Sequence, residues 1–131
     1  MNGLDANILL RYFAQDDPVH SAKATRLIEH RLSETRPGYV SLVTMAELVW
    51  TLSTSYAMSR PEIALVIEKM IASRRFVLQN EREVFIAMMA MEEGHGFADA
   101  LIAALGSWAG CSSTFTFDRK ASRLKGFELI A

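Results

Sequence analysis

The chain is nearly without cysteine. Cys111 is the single one in 131 residues, so no internal disulfide can form, and a reducing, cytoplasmic setting is expected. Cys111 itself reads as a small buried apolar residue. Charge of one sign is also missing. Fourteen basic against fifteen acidic residues leave a net charge of −1, so nucleic-acid binding would have to come from a local patch. No basic segment followed by an apolar run opens the chain, and no secretory signal is expected. The longest apolar stretches, such as "FIAMMAM", are too short to cross a bilayer. Internal repeats and low-complexity tracts are absent. What is present is hydrophobic bulk, 50% of residues, enough for one domain over 1–131 with a real core.

Punctuation along the chain predicts alternating strands and helices. Residues 2–5 read as a strand and 6–14 as a helix. Asp17-Pro18 starts a second helix, with proline at its first position. That helix turns Ala22, Ala24, Leu27, Ile28 and Leu32 toward a core and ends before Pro37-Gly38. "YVSLV" (39–43) is strand-like by its β-branched and aromatic content. Thr44 then opens a helix to about Tyr56, with Glu47 completing a capping-box pattern. "SRPE" (59–62) opens another, to about Ser73. "RFVLQ" is a strand, Asn80 with Glu83 caps the next helix, and "GHG" (94–96) breaks it. Helix 97–109, strand 111–117, a short helix from Asp118 and a final strand in "FELIA" complete the order. Such alternation predicts an α/β fold, a central parallel β-sheet flanked by helices on both faces.

Acids fall where strands end or helices begin: Asp5, Glu47, Asp99 and Asp118. In open α/β sheets ligands bind outside the carboxyl ends of strands. Each acid has a local explanation as a cap, a capping-box partner or a dipole-favoured first-turn residue. Together they say more. The chain has five aspartates, and three are in this set. Their neighbours, in "GLDANILL", "VTMAELVW", "GFADALIAAL" and "TFTFD", are strongly apolar, and charge held at the edge of an interior is costly without a partner. A hard divalent cation such as Mg²⁺ would partner several carboxylates. Zinc is disfavoured, because there is one cysteine and no histidine pair at ligand spacing.

The ordered set "GLDANILLRYF", "SLVTMAELVWTL", "GFADALIAAL" and "STFTFDRKASRLKGFELI" resembles the PIN-domain ribonucleases, in particular the VapC toxins of toxin–antitoxin pairs. The likeness runs nearly end to end. It departs at Ala6, where the family often has Thr or Ser. By this resemblance Asp5, Glu47, Asp99 and Asp118 form an acidic site for one or two Mg²⁺ or Mn²⁺ ions. Asn7 supports Asp5 or a water, and Thr116 orients Asp118 or touches phosphate. Asn7 also reads as a helix cap, and Thr116 as a strand hydroxyl bonded to backbone. Arg11, Arg119, Lys120 and Arg123 are candidates for the RNA backbone, against a plain solvated face, a reading that suits Arg123 better than Arg119.

The resemblance implies RNA as substrate, cut by a metal-activated water to leave 5′-phosphate and 3′-hydroxyl ends. It also implies a homodimer, through the apolar helices of 44–73, and a small antitoxin that covers the site. Operator DNA would be met only through that antitoxin. Core packing is the first reading of Leu48, Leu52, Ile63 and Ile67. His95 reads as a loop or capping residue. Three alternatives stand beside the toxin: a PIN nuclease of RNA processing, a non-catalytic PIN scaffold, and a receiver-like phosphoacceptor module. The last fits poorly, because the first strand ends in one acid.

Overall fold

A computed structural model describes all residues, 1–131. Five short strands alternate with six α-helices: β1 Asn2–Gly3, α1 Ala6–Ala14, α2 Pro18–Arg26, β2 Gly38–Val40, α3 Leu42–Thr54, α4 Arg60–Ala72, β3 Phe76–Leu78, α5 Glu81–Glu92, α6 Phe97–Trp108, β4 Thr114–Thr116 and β5 Phe127–Leu129. Every strand pairing is parallel, as expected of strands separated by helical crossovers. The strands form a three-stranded sheet in the order β1-β2-β3 and a two-stranded sheet β4-β5. Alternation predicts parallel pairing but not its distribution over sheets, because pairing partners are distant in sequence. Contacts divide the chain into two compact units, Met1–Glu81 and Arg82–Ala131.

In the first unit, Gly3 pairs with Tyr39 and Tyr39 with Val77. Gly38 begins β2 because nothing larger fits: an added Cβ would lie 2.6 Å from Leu4 Cδ1 and 3.0 Å from Leu32 Cδ1. Asp17 caps α2, accepting from the backbone N–H groups of Val19 and His20 at 3.2 and 3.1 Å. Pro18 takes the first helical position, where its missing N–H costs nothing. This helix runs into a π-helical turn, Leu27–Arg31. Of its five expected core residues, Ala24, Ile28 and Leu32 are buried, Leu27 is half-buried, and Ala22 is exposed. Ser59 and Glu62 form the expected capping box in both directions. Leu48, Leu52, Ile63 and Ile67 are all buried, no more than 2% exposed; burying each such side chain favours folding by roughly 1.5–3 kcal/mol.

Several boundaries differ from expectation: β1 stops at Gly3 rather than at residue 5, β2 covers Gly38–Val40 rather than 39–43, and β4 covers Thr114–Thr116 rather than 111–117. The helix after β2 begins at Leu42 rather than Thr44, and Ser41 is its cap, accepting from Thr44 N–H at 3.2 Å. Strand pairing stops at Val40. The Leu42 N–H is then taken by the side-chain oxygen of Gln79 at 2.9 Å. An earlier hydroxyl thus displaced the Thr44–Glu47 capping box.

In the second unit α6 lies against β4. Gly106 allows the approach, since a Cβ there would meet Thr114 Oγ1 at 2.7 Å. Val84, Met88, Met91, Phe97 and Leu101 are buried. The last predicted strand is Phe127–Leu129, and the short helix after Asp118 is a 3-10 turn, Ala121–Arg123. Cys111 is exposed, against the expectation of burial. Helix α6 has already ended at Trp108, and Gly110, with φ of +97°, turns the chain before Cys111. No helix is long and apolar enough to cross a membrane.

Candidate active site

Asp5 occupies the N-cap position of α1, between buried Leu4 and Ala6, yet its side chain makes no capping hydrogen bond. An N-cap aspartate ordinarily accepts from a backbone N–H two or three residues on. Here the extended backbone (φ −80°, ψ 153°) sets the helix start while the carboxylate stays exposed. Asn7, in the first turn of α1, is exposed as well. Glu47 sits in the second turn of α3, beyond capping reach, and is exposed. Neither Asp5 nor Glu47 therefore does the local structural work that its sequence position suggested.

In the second unit, Asp99 is the third residue of α6, half-buried in the first turn, where the helix dipole favours negative charge. The N-cap is Gly96, which has no side chain to cap with. A Cβ at Gly96 would come within 3.5 Å of Asp99 Oδ2, so the carboxylate turns back over the glycine. Sequence reasoning takes "GHG" only as a break between helices and misses this. Asp118 follows β4, and its Oδ1 accepts from the backbone N–H groups of Lys120 and Ala121 at 2.8 and 3.3 Å. The expected capping role is therefore real, and it engages one carboxylate oxygen. Thr116 Oγ1 accepts from the Asp118 N–H at 3.0 Å. Thr116 is thus a strand hydroxyl bonded to backbone, and the backbone it holds is that of Asp118.

The cationic candidates differ among themselves. Arg11 Nη1 donates to both oxygens of Asp16 at 3.1 and 3.0 Å, so its charge is already compensated. Tyr56 donates to the same carboxylate at 2.6 Å, and this hydrogen bond is the main cause holding the Asp16 carboxyl below its ordinary range. Arg119 and Lys120 are exposed, and neither side chain is in an ion pair. His95 lies half-buried in the turn between α5 and α6, consistent with its reading as a loop residue.

Asp5 and Glu47 belong to the first unit, Asp99 and Asp118 to the second. No three Asp, Glu, His or Cys side chains stand together so as to hold a metal ion. The donor chemistry of the four is that of hard carboxylate oxygens, which suits Mg²⁺ or Mn²⁺ and not a soft metal.

All strand pairings are parallel, and Asp5, Asp99 and Asp118 lie just beyond a strand or in the first turn of a helix. The PIN domain family model matches residues 4–126, and the chain belongs to that family. No curated protein matches the chain. PIN domains are generally metal-dependent nucleases.

Proposed function

We propose that the protein is a divalent-metal-dependent endoribonuclease with Asp5, Glu47, Asp99 and Asp118 as its acidic site. The observation that carries this reading is Asp5. It is an aspartate in a capping position that does not cap, in a family of nucleases. Glu47 supports it, since its capping-box explanation gives way to Ser41. Mg²⁺ or Mn²⁺, when bound, would activate a water and neutralise phosphate charge. The chain's own residues do the rest. Asp118 keeps one oxygen for its turn and offers the other, while Thr116 fixes the backbone that aims it. Asp99 is held at the head of α6 by the space over Gly96. Arg119 and Lys120, exposed and outside any ion pair, would meet phosphate.

The best biological reading is the toxin of a toxin–antitoxin pair, acting as a homodimer until a small antitoxin covers the site. Its sequence support is the VapC-like order of motifs. Its structural support is the apolar surface on α3 and α4, where Val43, Trp50 and Leu65 are 77%, 69% and 50% exposed. PIN scaffolding without catalysis predicts lost acids, and all four are kept.

The test is cleavage of a labelled single-stranded RNA. Cutting is expected with Mg²⁺ or Mn²⁺ and none in EDTA, with 5′-phosphate ends on the products. The same ions should raise the melting temperature of the wild type and do so less in Asp5→Asn and Asp99→Asn. RNA left whole at all divalent concentrations, with identical thermal shifts in all three proteins, would sink the proposal.

A further inference from the structure

An open groove of about 1040 Å³ runs along α6 within the second unit. Ala100, Ala103 and Ala104 of that helix line it, with Ile86 and Met89 of α5. At one end stands His95, beside the turn that carries Asp99; at the other stands Trp108. The α6 residues that line it run from Ala100 to Trp108, so that stretch is about 12 Å long at 1.5 Å per residue, the reach of a short piece of strand.

Three cations line it: Arg82 from α5, with Arg123 and Lys125 from the turn before β5. All three are exposed, and none forms an ion pair. Two carboxylates also line the groove: Glu83 is buried, and Glu93 is exposed at the rim. Positive charge is therefore in excess. Trp108 is 67% exposed, an aromatic face that folding leaves uncovered. Serine hydroxyls at 107, 112 and 113 line the same end. Unpaired cations beside an open aromatic face are what a flexible polyanion with stacking bases requires. In a duplex the paired and stacked bases would be unavailable to Trp108.

We propose that this groove is a track for single-stranded RNA, with Arg82, Arg123 and Lys125 on the phosphates and Trp108 stacked on a base. The track would lead the strand along α6 toward Asp99. It rests on the nuclease reading only for the identity of its occupant. It adds Arg82, Lys125 and Trp108, outside the acidic site, to Arg123, which the sequence already offers for the RNA backbone.

Binding is measured by fluorescence anisotropy of a labelled single-stranded decamer in EDTA, so that the strand stays whole and no metal bridges it. Salt is varied from 50 to 300 mM. The wild type should bind with affinity that falls as salt rises. The double variant Arg123→Ala, Lys125→Ala should bind at least about tenfold more weakly, with a salt slope shallower by about 0.7 for each phosphate contact removed. Arg82→Ala should shift both in the same direction. Trp108→Ala should weaken binding about fivefold or more and leave the salt slope unchanged. All four side chains are exposed, and unchanged melting curves will show that the variants fold.

Wild-type affinity and slope in every variant would overturn the track. So would variants that lose polyglutamate binding while holding RNA normally, which would assign the groove to an acidic peptide. Cleavage in Mg²⁺ by the wild type separates the two ideas. Cleavage with no effect of the groove variants on binding defeats the track alone. Variant-sensitive binding without any cleavage defeats the nuclease reading and leaves the track standing.

Discussion

Asp118 closes a turn, and a second job is proposed for it; substitution can separate the two. One oxygen accepts from two backbone N–H groups and closes the turn after β4. The proposed second job needs negative charge. Asp118→Asn keeps the acceptor and removes the charge; Asp118→Ala removes both. Losing a capping acceptor costs about 0.5–2 kcal/mol, and the turn served here is only three residues long, so about 0.5–1 kcal/mol is expected for Ala. For a chain of this size that is roughly 2–4 °C in melting temperature. Asn should melt close to wild type, because it caps about as well as Asp. Cleavage should behave otherwise. Both variants should lose at least about a hundredfold, or roughly 2.7 kcal/mol in the barrier, because neither carries charge. The assay is single-turnover cleavage of a labelled RNA, run beside thermal melts of all three proteins. An Asn variant that cuts at the wild-type rate would refute the charge argument. Equal melting losses for Asn and Ala would refute the capping argument.

Other expectations follow from residues already placed. Leu52 is fully buried, so Leu52→Ala should destabilise by about 2–5 kcal/mol in urea unfolding; a loss below about 1 kcal/mol would mean that the site collapses around the gap. The Asp16 carboxyl is held low by the Tyr56 hydroxyl, so the stability it lends is complete above the unfolded value of about 3.9 and fades as pH falls through the folded one. The melting difference between wild type and Tyr56→Phe should therefore be widest near neutrality and narrow below about pH 4, and a constant difference would contradict the assignment. Cys111 is exposed, so one thiol should react with Ellman's reagent in the native protein; reaction only after denaturation would place it inside.

Much of this molecule is legible in its sequence. Helix α1 was readable to the residue, because an aspartate precedes a run of apolar periodicity. Ser59 and Glu62 announce their reciprocal bonds by spacing alone. Local chemistry of that kind is written in neighbouring residues. Thr44 and Glu47 show where such reading fails: two valid capping patterns overlapped, and strand pairing at Val40 together with Gln79, far along the chain, favoured Ser41. Cys111 failed for a related reason, since burial depends on where a helix stops and not on the residue's own preference. Of the four acids, the places of Asp5, Asp99 and Asp118 near a strand end or helix start are readable, whereas Glu47 lies deeper in α3 than its sequence position suggests. That Asp5 is spared from capping and Asp118 is not was unreadable, because side-chain direction follows from backbone angles.

Gly106 carries no chemistry, yet it governs a distance on which chemistry would depend. Because that position has no side chain, Thr114 can settle against α6. Thr114 and Thr116 share one side of β4, and Thr116 grips the backbone of Asp118. The aim of a carboxylate is thus calibrated by a vacancy in a neighbouring helix, passed along by two hydroxyl-bearing residues. Enlarging residue 106 by one methyl would act as a shim, lifting the strand and retuning the acid without touching it.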